Sequence, residues 1–334
     1  MSHRIIFTNN IEGNFHGKYV VGSGVGSRNR SVYRSLQRRA SNNAQGKPCC
    51  TNINNNNIEF FIVGYYNIDI NIGIPCYWTS INLPPTPLPL PNGITSGSAF
   101  GINSNGIIVG SYINNINKII PCYWTSINLP PTPLPLPNGF TSGNASGINS
   151  NGIIVGFYSN NIDINIGIPC YWTSIGATPT PLLLPNGITY GNAGGINSNG
   201  IIVGFYLNVN NNIIPCYWTS IGATPTPLLL PNGITSGSAV GINSNGFIVG
   251  EYTNNINKII PCYWTSIGAT PTPLLLPNGI TSGNAVGINS NGIIVGLLNN
   301  INNFIPCYWT SIGATPTTLL LPNGITSGIA FDIQ

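Results

Sequence analysis

The chain has 334 residues, of which 42% are hydrophobic and only 5% charged, with a formal net charge of +4. An ordinary soluble domain carries about 25% charged residues, so this surface is built from Asn, Ser, Thr, Gly and Pro. Gly (41) and Pro (28) recur through the whole chain, and no segment keeps a 3.6-residue apolar period. That excludes a helical protein.

The first fifty residues differ from the rest. They hold Arg4, Lys18, Arg28, Arg30, Arg34, Arg38, Arg39 and Lys47 against the single acid Glu12. Later residues carry only Lys118 and Lys258 against five acids. Arg28, Arg30, Arg34, Arg38 and Arg39 form a candidate basic contact patch. A solvated segment is the plainer reading, and nucleic acid is not the expected partner. The start lacks the apolar run of a signal peptide, and no stretch is apolar for long enough to span a bilayer. A cytoplasmic location is expected on this basis. Cys49 and Cys50 follow at once, as a degenerate strand or, alternatively, an intermolecular disulfide.

From here a unit of about 46 residues repeats. Cys-Tyr-Trp begins at Cys76, Cys122, Cys170, Cys216, Cys262 and Cys307, and Gly-Ile-Asn-Ser-Asn-Gly at Gly101, Gly147, Gly195, Gly241 and Gly287. Such a period marks a repeat architecture. Each unit reads as four short strands. The first is small, as in Asn144–Asn149, and ends in Ser-Asn-Gly, whose Asn-Gly pair suits a type I′ hairpin. The second is apolar, as in Ile153–Tyr158. After an Asn-rich loop comes Ile-Pro-Cys-Tyr-Trp-Thr-Ser, and then a fourth strand such as Leu182–Leu184. Pro89 and Pro135 fall in the fourth strand of two units, which places it at an edge. Ala99, Ala145, Ala193, Ala239 and Ala285 suit the crowded strand nearest an axis. Four-stranded units around a channel are the plan of a β-propeller.

The C-terminal Gly328–Gln334 copies the first strand of a unit with no unit after it. Lys18–Gly22 and Ser31–Ser35 resemble pieces of a further, degenerate unit. The sequence therefore predicts one all-β propeller over 1–334. It comprises a degenerate basic blade at 1–48, six near-identical repeats at 49–328 and a closing strand at 329–334. Seven blades result, closed by pairing the two terminal segments, with six blades as the alternative.

The repeat resembles that of the HAF-type extracellular-repeat family, Ala-x-Gly-Ile-Asn-x-x-Gly-x-Val-Val-Gly followed by a strand ending in Trp. The matching pieces are Ala285–Asn289, Gly292–Gly296 and Pro306–Trp309. The resemblance implies a propeller and no particular activity. The richness in Asn and Ile also resembles proteins of AT-rich genomes, including giant viruses of amoebae.

Candidate chemistry is sparse. Cys76, Cys122, Cys170, Cys216, Cys262 and Cys307 recur at one place per blade, too far apart to bridge, and read as reduced core residues. Trp78, Trp124, Trp172, Trp218, Trp264 and Trp309 lie on the same strand face and read as packing between blades, with a ring of sugar sites as the sharper alternative. The histidines are His3 and His16, and the six acids are scattered. No metal, cofactor or catalytic residue is expected, although a carboxylate pair assembled across the ring stays open. The functional expectation is a self-associating, non-enzymatic structural protein forming oligomers, filaments or tubes, the alternative a propeller that binds glycans or proteins.

Overall fold

The computed structural model describes residues 60–69, 72–160, 167–300 and 303–334, with a two-residue antiparallel pairing of Phe7–Thr8 to Asn57–Ile58. The described residues form six four-stranded antiparallel blades. Blade 2 is representative, with Gly97–Ile102 innermost, then Ile108–Ile113, Ile119–Trp124 and Thr132–Pro133 outward. Blades 3 to 6 repeat this order, their innermost strands being Ser142–Ile148, Gly191–Ile196, Gly237–Ile242 and Gly283–Ile288.

Blade 1 is assembled from both ends of this array. Its innermost strand is Gly328–Ile333, paired with Ile62–Asp69, followed by Ile72–Trp78 and Thr86–Pro87. The seven-blade expectation is thereby corrected to six. The C-terminal strand completes the first full repeat and not a degenerate N-terminal blade. The physical reason is that the inner edge of Ile62–Asp69 is taken by Gly328–Ile333, in register from Gly328 opposite Tyr66 to Ile333 opposite Ile62. Apart from Phe7–Thr8, the segment 1–48, with the basic patch Arg28, Arg30, Arg34, Arg38 and Arg39, lies outside the described residues, as do Cys49 and Cys50.

Two local expectations also change. The Ser-Asn-Gly hairpin is not type I′. Only the glycine has positive φ, 78° at Gly106, and its N–H bonds to the Asn103 carbonyl at 2.9 Å. This is a type I turn closed by a left-handed glycine, the three-residue hairpin. The Asn103 Oδ1 fixes it by accepting the Asn105 and Ile107 N–H groups, both at 3.0 Å. The fourth strand is Thr-Pro, not the leucine run after it. Thr180 and Pro181 pair with Tyr171 and Cys170, and Leu182 N–H adds a bond to the Pro169 carbonyl. It remains the outer edge, where a proline is tolerated.

Six apolar clusters hold the ring, one in each seam. The seam between blades 1 and 2 joins Val63 and Tyr77 to Ala99, Ile108, Cys122 and Trp124. The last seam joins Ile293 and Val295 of blade 6 to Ile62, Trp78 and Ala330 of blade 1. All six cysteines and all six tryptophans have no exposed surface. Each Trp Nε1 donates to a carbonyl in the outer segment of the preceding blade, Trp172 to Pro135 and Trp78 to Leu320, both at 2.9 Å. A second belt of bonds lies further inward. Asn103, Asn149, Asn197 and Asn243 each donate Nδ2 to the carbonyl of the next blade's equivalent Asn, at 3.0–3.2 Å. Gln334 occupies the Asn position of blade 1 and donates to the Ile102 carbonyl at 3.2 Å.

Candidate functional site

The innermost strand of every blade is irregular. Its register slips by one residue, between Ala99 and Gly101 in blade 2 and between Ala145 and Gly147 in blade 3. Such a bulge re-aims side chains and is frequent beside binding sites. The second strand accommodates it with a glycine. A Cβ on Gly156 would overlap the Asn144 carbonyl oxygen, and a Cβ on Gly110 that of Ser98.

The repeats differ in their Asn-rich loops and, within the paired strands, chiefly around this bulge. At the residue before the conserved Ala the blades carry Ile329, Ser98, Asn144, Asn192, Ser238 and Asn284 in turn. At the bulged residue they carry Phe331, Phe100, Ser146, Gly194, Val240 and Val286. Opposite the first set, on the second strand, stand Tyr65, Ser111, Phe157, Phe205, Glu251 and Leu297. Fifteen of these eighteen side chains line one central cavity of about 650 Å³. The packing faces are uniform, whereas the cavity wall is not.

The wall mixes polar and apolar groups all round. On the side of blades 1 and 2 an aromatic group of Tyr65, Phe100 and Phe331 stands beside Asn67, Ser96 and Ser98. Phe100 meets Phe331 edge-on with ring centroids 4.6 Å apart, and Tyr65 lies 5.7 Å from Phe331. Around blades 3 to 6 the wall carries amides, a hydroxyl and a carboxyl, in Asn144, Ser146, Asn192, Asn284 and Glu251. No Lys, Arg or His is among the lining residues. Two acceptors are sealed from solvent without a hydrogen-bond partner, Asn144 Oδ1 and Glu251 Oε2.

Glu251 and Asp332 thus come to one cavity from distant positions in the chain. Burial raises the Glu251 carboxyl to about 7, against the lowering effect of hydrogen bonds from Asn284 and Ser238. Burial likewise raises Asp332 to about 7, against bonds from the Ile102 and Ile333 N–H groups, each at 2.9 Å. Asp332 stands where blades 2 to 6 have glycine; its Oδ2 fastens blade 1 to blade 2 through the Ile102 N–H, and its Oδ1 accepts from the adjacent Ile333 N–H.

A pH dependence follows. Both carboxyls titrate near 4 in the unfolded chain and near 7 in the folded ring, so the folded state holds these protons more tightly. Their contribution is fully present below about pH 4 and is lost as pH rises through 7. Between pH 5 and pH 8 the melting temperature is expected to fall, and Glu251→Gln to make it fall less. A melting temperature that is flat or rising over this range contradicts the assignment.

The cysteines contribute no reactive centre among the described residues. Burial pushes the Cys76 and Cys170 thiols well up, as it does the other four, which keeps them protonated. Among the described residues no three His, Cys, Asp or Glu side chains gather as a metal site, and no helix is long and apolar enough to cross a membrane.

No protein-family model matches the chain, and no curated protein matches it. The likeness to the HAF-type repeat therefore remains one of motif. Among solved structures the chain is similar to a point mutant of Aleuria aurantia lectin in complex with Fucalpha1-6GlcNAc. The identity is 12%, the TM-score 0.47, and 78% of this chain and 93% of that one are covered. The same lectin mutant with alpha-methyl-L-fucoside gives 12% identity and a TM-score of 0.44, over 80% and 93% of the two chains.

The sequence signal for the cavity was present without being a motif. It lay in the positions at which the repeats differ. The conserved Cys and Trp residues, singled out because they recur, face the seams and do not line the cavity.

Proposed function

We propose that the chain is a non-catalytic binding protein whose site is the central cavity and whose ligand class is a neutral saccharide. The placing on the cavity wall of most strand positions at which the repeats differ carries this reading. Identical copies around an axis would give a sixfold wall, which matches no small asymmetric molecule. This wall instead offers one cluster of aromatic faces at Tyr65, Phe100 and Phe331, with amides, hydroxyls and a carboxyl placed unevenly around the ring. Aromatic faces suit the C–H faces of a sugar ring, and amides and hydroxyls suit its O–H groups. The volume is within the usual range for small-ligand sites.

Binding is favoured over hydrolysis by the state of the carboxyls. Sugar hydrolysis commonly needs two working carboxyl groups. Asp332 has both oxygens engaged by backbone N–H groups, which leaves Glu251 alone. Among the described residues no basic side chain lines the cavity, which favours a neutral ligand over an anionic one. The homo-oligomer expected from the charge-poor surface is a separate matter for light scattering at high concentration, and the cavity reading does not depend on it.

Ligand-observed NMR against neutral mono- and disaccharides tests the reading. Single sugars are expected to bind with a Kd on the order of millimolar. Tyr65→Ser, which installs the residue that blade 2 carries at the equivalent position, should weaken binding roughly tenfold by removing part of the aromatic cluster. Binding that is unaffected by Tyr65→Ser moves the site elsewhere, and a blank panel ends the proposal.

A further inference from the structure

One blade departs from the others in a way that leaves space. The second-strand position facing the axis holds a large side chain in five blades, as Tyr65, Phe157, Phe205, Glu251 and Leu297. In blade 2 it holds Ser111. Next to Ser111 a side pocket of about 150 Å³ opens between blades 2 and 3. It shares Ser98, Phe100, Asn144 and Phe157 with the central cavity, so the two adjoin.

The pocket's chemistry is specific. It has hydroxyls at Ser98 and Ser111, aromatic rings at Phe100 and Phe157, and no charged side chain. Asn144 also lines it, and the Asn144 Oδ1 is sealed from solvent with no partner. A buried acceptor without a partner is costly to a fold. A turn of the Asn144 side chain toward the pocket lets a ligand O–H donor relieve that cost. The volume corresponds to roughly five waters, too small for a whole sugar ring and sufficient for a short arm. The flanking rings favour an arm that begins with an apolar CH₂.

We propose that this side pocket reads the exocyclic hydroxymethyl arm of a sugar held in the central cavity, with Asn144 and Ser111 as the residues that set specificity. The inference rests on the saccharide reading above and sharpens it, because it separates hexoses from pentoses.

The test uses the full chain and three sugar pairs that differ only in this arm. They are D-glucose with D-xylose, D-galactose with L-arabinose, and D-mannose with D-lyxose. Affinities are measured by calorimetry or ligand-observed NMR. At least one hexose is expected to bind roughly tenfold tighter than its pentose, from one hydrogen bond and one buried CH₂. Ser111→Phe, which copies blades 3 and 4, fills the pocket. It should bring the pair to within about twofold by weakening the hexose and leaving the pentose unchanged. Asn144→Ser, which copies blades 2 and 5, removes the acceptor and should weaken the hexose more than the pentose, although Asn144 also lines the central cavity. It decides the matter if Ser111→Phe does not fold. A wild-type protein that binds pentose and hexose alike overturns the side pocket and leaves the saccharide reading standing. So does a preference that survives the variants. A wild-type protein that binds none of the six sugars overturns both.

Discussion

Deleting Gly328–Gln334 is expected to abolish cooperative folding. These residues are the innermost strand of blade 1, and the deletion exposes Ile62–Asp69 as an open edge. The loss extends to both seams beside it. Ala330 and Ile333 belong to the cluster that joins blade 6 to blade 1, with Trp78 and Val295. Asp332 and Gln334 bond to the Ile102 backbone of blade 2. Gln334 also exchanges two backbone bonds with Phe61, both at 3.0 Å. An unpaired, apolar edge is a template for pairing with other chains. Circular dichroism melting and size-exclusion chromatography should therefore show a broad transition or none, and material in the void volume. A truncated chain that melts sharply, within a few degrees of the intact one, contradicts this closure.

The second large effect is expected at a seam. Trp172→Ala should cost about 3–5 kcal/mol in denaturant unfolding, against a total of about 5–15 kcal/mol for a typical protein. Trp172 is wholly buried with Ile154 and Cys170 of its own blade and Val109 of the preceding one. The substitution opens a cavity and also leaves the Pro135 carbonyl without the Nε1 donor it now has at 2.9 Å. Trp172→Phe keeps much of the volume and loses only the donor, for roughly 1–2 kcal/mol. The same pair of changes at Trp218 should give similar values, because Trp218 bonds the Leu183 carbonyl in the same way at 2.8 Å. A Trp172→Ala cost below about 1 kcal/mol means that the seams do not hold the ring.

The architecture was legible from the repeat, because the period, the Asn-Gly punctuation and the proline at the fourth strand each have one geometric meaning. The blade number was misread for a definable reason. Lys18–Gly22 resembles a second strand, which drew the closing strand toward the N-terminus. The decisive signal lay elsewhere. Phe61–Gly64 is a second-strand motif without the Gly-x-Ala first strand that precedes it in blades 2 to 6, and Gly328–Gln334 is that missing piece. Asn103 and its counterparts were read as turn residues alone. Their second role, donating to the next blade, needs the seam distance, which no local pattern contains. The cavity escaped notice because motif reading rewards sameness. Its wall is written in Ser146, Gly194, Glu251 and other places where the copies disagree. The meeting of Glu251 and Asp332 depends on ring closure, so it could be raised from sequence only as a possibility.

The composite first blade has a consequence for synthesis. Blades 2 to 6 are each continuous in the chain and can form as they emerge. Blade 1 cannot, since its outer strands end at Pro87 and its inner strand begins at Gly328. At about 5–20 residues per second, that gap takes roughly 12–50 s to translate. Throughout that interval the nascent array is an open arc whose first seam has an unfilled side. The ribosome thus holds the protein in its most adhesive state until Gly328–Ile333 has been made. Cells making many copies at once would meet neighbouring arcs joining end to end before any one of them can shut.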